Sequence, residues 1–269
     1  MYRKILLTLL TAILTPLTAA TISGAYDVSF SVFGKIGEAT VFMKEEKGDY
    51  HIHIDGKLTG FAASLGQNRR ESHDSYGRIV DGIFVPDKYV KKRLSDKRDE
   101  TTVYTFDHVQ KKVTKQRTKV RRYTMNRFDA ATMAIAEVPQ IEKQVSESVM
   151  PYYAANDLMS LFFNVRHFLK EIPRGGKSIQ HSVGATNDKG EVVITNPEGK
   201  KRAKLAKLMP DNQDRLITVV VDQDIFESDK GELYINLDKD YLAIEAMLKD
   251  VLLFGDIRAK RVSHSGIAQ

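Results

Sequence analysis

The sequence predicts a mainly β fold in which antiparallel strands curve around a single central α-helix. Three observations carry this. Short stretches of alternating apolar and polar residues recur along most of the chain, the period-two signature of half-buried strands. One central stretch, Leu158 to Leu169, instead places Leu158, Leu161, Phe162, Val165, Phe168 and Leu169 at helical spacing. No segment rich in Pro, Gly or Ser divides the chain, and no internal repeat is present, so residues 21–269 read as one domain.

The helix has its own punctuation. Asn156 or Asp157 can cap its start, since a short polar side chain accepts a hydrogen bond from a first-turn amide. Lys170 suits the negative end of the dipole, and Pro173 with Gly175-Gly176 ends the run. Burying its six apolar side chains contributes on the order of 10 kcal/mol before ordering entropy is counted.

The strands follow in order. Tyr26, Val28, Phe30 and Val32 alternate with polar residues, and Ala39, Val41 and Met43 return after a turn between Gly34 and Gly37. Lys47-Gly48-Asp49 turns again, after which Tyr50, Ile52 and Ile54 face inward and His51, His53 and Asp55 outward. Leu58 to Asn68 reads equally as a strand end or a loop. Tyr76–Val80 and Ile83–Val90 are strands, with Pro86 implying an edge or a bulge. Thr101–Phe106 and Lys112–Thr118 form a hairpin around Asp107-His108. Val120 to Gln144 carries no clear pattern: Arg121, Arg122 and Arg127 are followed by a mildly helical Ala130–Ala136, and Pro139 breaks it.

Beyond the helix, Ser178–Val183, Val192–Thr195 and Lys204–Met209 read as strands, separated by turns at Asp188-Lys189-Gly190 and Pro197-Glu198-Gly199. Leu216–Val221 and Glu232–Leu237 follow. Tyr241 to Val251 suits either a strand or a helix, and Ile257–Val262 closes the chain.

The first twenty residues read as a cleavable export signal. Arg3 and Lys4 precede the apolar run Ile5–Leu14, and Thr18-Ala19-Ala20 supplies small residues for cleavage. The run is shorter than the roughly 20 residues a membrane span needs. A periplasmic protein with no transmembrane segment after signal removal is therefore expected. The 269 residues include no cysteine, which excludes disulfides, thiol catalysis and a lipid-modified N-terminal Cys. Losing Arg3 and Lys4 takes the formal charge from +6 to +4, a modest excess whose clustering matters more than its size.

Several stretches together resemble the DUF3108 family of bacterial exported proteins of unknown function. They are Tyr26-Asp27-Val28-Ser29-Phe30-Ser31-Val32-Phe33-Gly34 with Gly37-Glu38-Ala39, and Gly82-Ile83-Phe84-Val85-Pro86. Asp157, Ser160 and Arg166 match the family's Asp-x-x-Ser-x-x-x-x-x-Arg segment, and Phe254-Gly255-Asp256-Ile257-Arg258-Ala259 its last strand. The resemblance implies a half-open β-barrel or β-spiral around a helix, akin to periplasmic lipoprotein carriers, and no established enzyme activity.

Asp157, Ser160 and Arg166 share the helix; capping by Asp157 and pairing of Arg166 with a carboxylate or strand-end carbonyl compete with ligand contact. No Gly-x-Ser-x-Gly elbow marks Ser160 as a nucleophile. His51 and His53 are the candidate metal ligands, with Asp55 on the same face and His73-Asp74 on another strand, but no fixed spacing to a further pair demands a metal. No cofactor is expected. Basic residues cluster at Lys91–Arg98, at Lys111–Arg122 with Lys119, Arg121 and Arg122, and at Lys200–Lys207. They guard sheet edges or meet an anionic envelope component such as lipid headgroups. Nucleic acid is not expected, because interleaved stacking aromatics are missing. Paired carboxylates (Glu45-Glu46, Asp99-Glu100, Asp222 and Asp224) carry no mark of a catalytic pair.

The function this predicts is non-catalytic binding of a lipid-like ligand or an envelope partner. A hydrolase of cell-wall or glycan material and a purely structural interaction module are the alternatives.

Overall fold

Lys47-Gly48 and Asp81-Gly82 carry positive φ at both positions (57° and 82°, 51° and 78°). That left-handed pair lets a two-residue turn follow the right-handed twist of its strands, and it sets the meander with which the chain begins. The computed structural model describes residues 20–31, 33–131, 133–185, 189–211, 215–221, 232–251 and 255–265. The proposed leader (apart from Ala20), Val32, Asp188, Asp222, Asp224 and Phe254 lie outside them.

The first half comprises β1 (Ala20–Phe30), β2 (Gly34–Glu46), β3 (Asp49–Leu58), α1 (Gly60–Leu65), β4 (Arg70–Val80) and β5 (Ile83–Leu94). It continues through β6 (Arg98–Asp107), β7 (Lys112–Asp129) and β8 (Ala134–Val149). The two-residue β9 (Asn156–Asp157) leads into α2 (Leu158–Leu169). The second half has β10 (Lys177–Val183), β11 (Glu191–Thr195), α3 (Gly199–Leu208), β12 (Arg215–Val220), β13 (Glu232–Leu237), β14 (Ala243–Val251) and β15 (Gly255–Ser265).

Among the described residues these strands form one mainly antiparallel sheet of 15 strands, ordered β8-β7-β6-β5-β4-β3-β2-β1-β15-β14-β13-β12-β11-β10-β9. Its two halves are joined where the first and last strands pair, Tyr26 opposite Arg261 and Phe30 opposite Ile257. The sheet is not closed into a barrel: β8 and β9 are its two ends. No helix among the described residues is long and apolar enough to cross a membrane.

Several expectations are corrected. Lys204–Met209 is not a strand but lies in and just after α3, because Leu205 and Met209, four apart, are its buried contacts while Lys204 and Lys207 face out. The helical reading of Ala130–Ala136 is overturned: Ala134–Ala136 open β8, in a long hairpin in which Phe128 pairs with Ile135, and Thr132 lies outside the described residues. Pro139 fits there because β8 is an edge strand and its partner ladder continues on either side. Leu58 to Asn68 holds the short helix α1, and Tyr241 to Val251 is a strand rather than a helix from Ala243 onward, β14. The bulge implied by Pro86 is present, with Gly77 opposite Pro86 and Tyr76 opposite Lys88, leaving Asp87 unpaired in the ladder.

The helix α2 touches both halves. Leu161, Val165 and Leu169 pack with Val192, Ile194, Ile217, Ile235 and Leu237. Phe163 joins Tyr50, Ile52 and Phe84 of the first half, its ring 5.6 Å from that of Phe84. α3 covers the opposite face of the second half through Leu205 and Met209, which meet Leu216, Tyr234 and Met247. Leu216 and Ile217 thus point to different helices, as do Tyr234 and Ile235. This explains why β12 and β13 read as continuous apolar runs: both of their faces are covered.

Asn164, absent from the predicted apolar stripe, does a strand's work. Its side-chain oxygen accepts from the Phe84 amide (2.8 Å) and its Nδ2 donates to the Phe84 carbonyl (2.9 Å). Among the described residues β6 pairs with β5 only from Lys88 onward, so no strand pairs with Phe84 on that side. Asn164→Leu keeps the volume and orphans both groups; we expect a loss of about 2–4 kcal/mol in urea unfolding.

Candidate functional site

The site begins with what fixes α2. Asp157 Oδ1 accepts from the amides of Met159 (2.7 Å) and Ser160 (2.8 Å), and the Ser160 hydroxyl accepts from the Asp157 amide (2.9 Å). This reciprocal capping box satisfies first-turn donors that would otherwise be buried without partners. Asp157 Oδ2 accepts from Ser75 Oγ on β4 (2.6 Å), which in turn lies 3.0 Å from the Tyr50 hydroxyl on β3. The cap is therefore also a bolt between helix and sheet. Burial pushes the Asp157 carboxyl up to about 6, against the pull of the Ser75, Ser160 and Met159 donors.

Beside the helix lies an apolar cleft of about 230 Å³ between α2 and β11–β13. Leu161, Val165, Val192, Ile194, Ile217 and Ile235 are its buried floor. Ile54, Leu158, Met159, Phe162, Val219 and Leu233 are only partly buried and form its rim. The helical stripe read from the sequence supplies one wall. The other wall comes from β-branched positions of β11 to β13, which strand alternation marks as inward-facing but cannot mark as opposite a gap.

Asp157, Ser160 and Arg166 do not line this cleft. Asp157 and Ser160 are fully buried in the capping box. Arg166 donates to the Gly82 carbonyl (3.0 Å) at the β4–β5 turn, and its guanidinium lies 5.6 Å over the Phe84 ring. These are scaffolding contacts that set where α2 sits.

Arg121 and Arg122 line a much larger cleft of about 1,000 Å³ rich in basic residues, with Arg69, Lys97, Arg98 and Tyr123. Arg122 is paired with Asp99, whereas Lys97, Arg98 and Arg121 form no ion pair among the described residues. Lys119 is half-buried in an adjoining cleft of about 180 Å³ with Arg98 and Glu142. Asp99 and Glu100 each face an arginine, Arg122 and Arg117, rather than each other.

His51 and His53 both reach one carboxylate, that of Asp74, at 2.9 and 2.7 Å. Asp55 instead pairs with Arg70 (2.7 Å), and His73 contacts Tyr89 and Glu71. Sequence reasoning placed Asp74 only as part of a distant pair, because cross-strand register is not written in one strand's spacing.

The buried cap yields a pH test. Folding raises the Asp157 pKa from 3.8 to about 6, so the folded chain keeps a proton that the unfolded chain releases between those values. Its contribution is present below about pH 4 and is lost as the pH rises through about 6. The difference corresponds to about 3 kcal/mol. The stability advantage of the unaltered protein over Asp157→Asn should shrink by about that amount between pH 4 and 7 in urea unfolding.

No curated protein matches the chain. A family model described as protein of unknown function (DUF3108) matches residues 25–262. That span runs from the first strand to the last and includes the capping box, the Arg166 anchor and every residue of the apolar cleft, so the chain belongs to the DUF3108 family.

Proposed function

We propose that this protein is a non-catalytic, exported envelope protein that holds a slender lipid-like ligand in the cleft beside α2. The single observation behind this is that all thirteen residues lining the cleft are apolar, while six of them are only partly buried, at the rim. Water at such a surface has no polar group to bind, so an apolar guest gains by displacing it. At about 230 Å³ the cleft is smaller than the roughly 300–1,000 Å³ pockets that enclose drug-sized molecules. One hydrocarbon chain fits it better than a ring system.

The same reading takes the sheet as a half-open barrel curled around α2, with its concave side toward the helix. What supports this is that one helix meets residues of both halves of the sheet. The signal-like residues 1–20 support export to the periplasm. The cleft with Arg98 and Arg121 supports contact with an anionic envelope component such as lipid headgroups.

Native mass spectrometry of the protein expressed with its own leader should show one apolar adduct per chain. Leu233→Glu, at the rim, should lose the adduct while keeping its thermal transition. An unaltered protein that carries no adduct and takes up no fluorescent fatty acid at micromolar concentration would refute the reading. Each exposed cation near an anionic bilayer is worth about 1 kcal/mol, so Arg98→Gln with Arg121→Gln should weaken sedimentation with phosphatidylglycerol vesicles roughly 10- to 30-fold, and leave phosphatidylcholine vesicles unaffected.

A further inference from the structure

Strand register brings two imidazoles and a carboxylate together on the face of the sheet that points away from α2. His51 and His53 are two residues apart on β3 and so project from the same face, opposite to Tyr50 and Ile52, which are buried in the core. On β4, Asp74 lies directly opposite His53 and Tyr76 directly opposite His51. The same oxygen, Asp74 Oδ1, lies 2.9 Å from His51 Nε2 and 2.7 Å from His53 Nδ1. Tyr76 stacks on the His51 ring at 4.3 Å with 12° between planes, and Phe42 meets its edge at 6.2 Å. Aromatic packing thus holds the His51 ring in its orientation, and Asp74 is itself only 7% exposed.

We propose that His51 Nε2, His53 Nδ1 and Asp74 Oδ1 form a binding site for a divalent d-block metal ion of the zinc or nickel class. The donor set decides the class. Two imidazoles with one carboxylate suit zinc, nickel or copper, whereas calcium and magnesium take oxygen ligands. The three atoms lie within 4.8 Å of one another, and metal–ligand bonds of about 2.0–2.2 Å span that arrangement with small side-chain rotations. Both histidine side chains are about a third exposed (35% and 32%), so a fourth ligand position faces solvent. Three protein ligands with one open position are the pattern of a site that takes water or an incoming ligand, not of a closed structural site.

A second group, Asp238, Asp240 and His264, is drawn together in the same way but is already committed. Asp238 pairs with Arg261 at 2.7 Å and accepts from the amides of Asp240 and Leu242. A cation there would have to displace Arg261. At His51 and His53 it displaces only shared protons.

The test is calorimetric titration of tag-free, metal-stripped protein with zinc and with nickel. One equivalent should bind with micromolar or tighter affinity. His51→Ala, His53→Ala and Asp74→Asn should each weaken it by at least about 100-fold, and Asp240→Asn should leave it unchanged. Imidazole ¹⁵N resonances of the unaltered protein give a readout that needs no variant: zinc should shift His51 Nε2 and His53 Nδ1 and spare the remaining histidines. Failure to bind one equivalent, binding that survives in a His51→Ala/His53→Ala double variant, or ¹⁵N shifts at other histidines would each overturn the proposal.

Discussion

Asp157 stands where β9 turns into α2, and its carboxylate is shared between two first-turn amides and the Ser75 hydroxyl. The helix cannot start without the cap, and the cap cannot keep its second oxygen satisfied unless β4 is in register beneath it. Since β9 also pairs with β10, in parallel, the same two residues connect the helix to the far end of the sheet. An open sheet lacks the closure that would hold a barrel together. α2 packs against apolar residues of both halves of this one, and Asp157 ties the start of the helix to β4.

An open sheet also has edges, and here they are treated differently. β9 is only two residues long, too short to template another strand. β8 is long, but it carries Pro139 and alternating charges such as Glu142, Lys143 and Glu147, which discourage pairing with a second chain. Beyond Arg121, β7 pairs with β8 alone, and a two-stranded ribbon is marginal in water. Arg122 with Asp99 and Arg117 with Glu100 fasten its base to β6. Phe128, Met133 and Ile135 stay exposed near its tip. The large basic cleft lies at that base, so the ribbon and the cations of the rim form one continuous surface.

What was legible in the sequence follows from where the decisive contacts are local. The β1–β3 meander could be read because turn residues and alternation lie within a dozen positions of one another. The span and cap of α2 could be read for the same reason. α3 could not: Lys204 to Met209 alternates enough to pass for a strand, and only Leu216 and Tyr234 packing on Leu205 and Met209 decides for a helix. The role of Asn164 has no local signature, because its partner, the Phe84 backbone, is 80 residues away. The cleft was legible only as its helical wall. Asp74 shows the same limit, since its place beside His51 and His53 depends on the β3–β4 register.

The cleft itself needs an explanation, because apolar walls usually close on each other. Left empty and fully enclosed, a space of about 230 Å³ would cost at most about 5–6 kcal/mol. What opposes collapse is the asymmetry of the ties on α2. Toward β4 and β5 the helix is held by Asp157 to Ser75, by Asn164 to both groups of Phe84, and by Arg166 to the Gly82 carbonyl. Toward β11–β13 it meets only side chains such as Val192, Ile217 and Ile235, whose attraction has no fixed direction. Sliding the helix to close the gap would break four largely buried hydrogen bonds, at about 1–3 kcal/mol each. The two sums are comparable, so the gap persists without being cheap. A hydrocarbon chain in the cleft would remove the cost of the void and leave every polar tie intact.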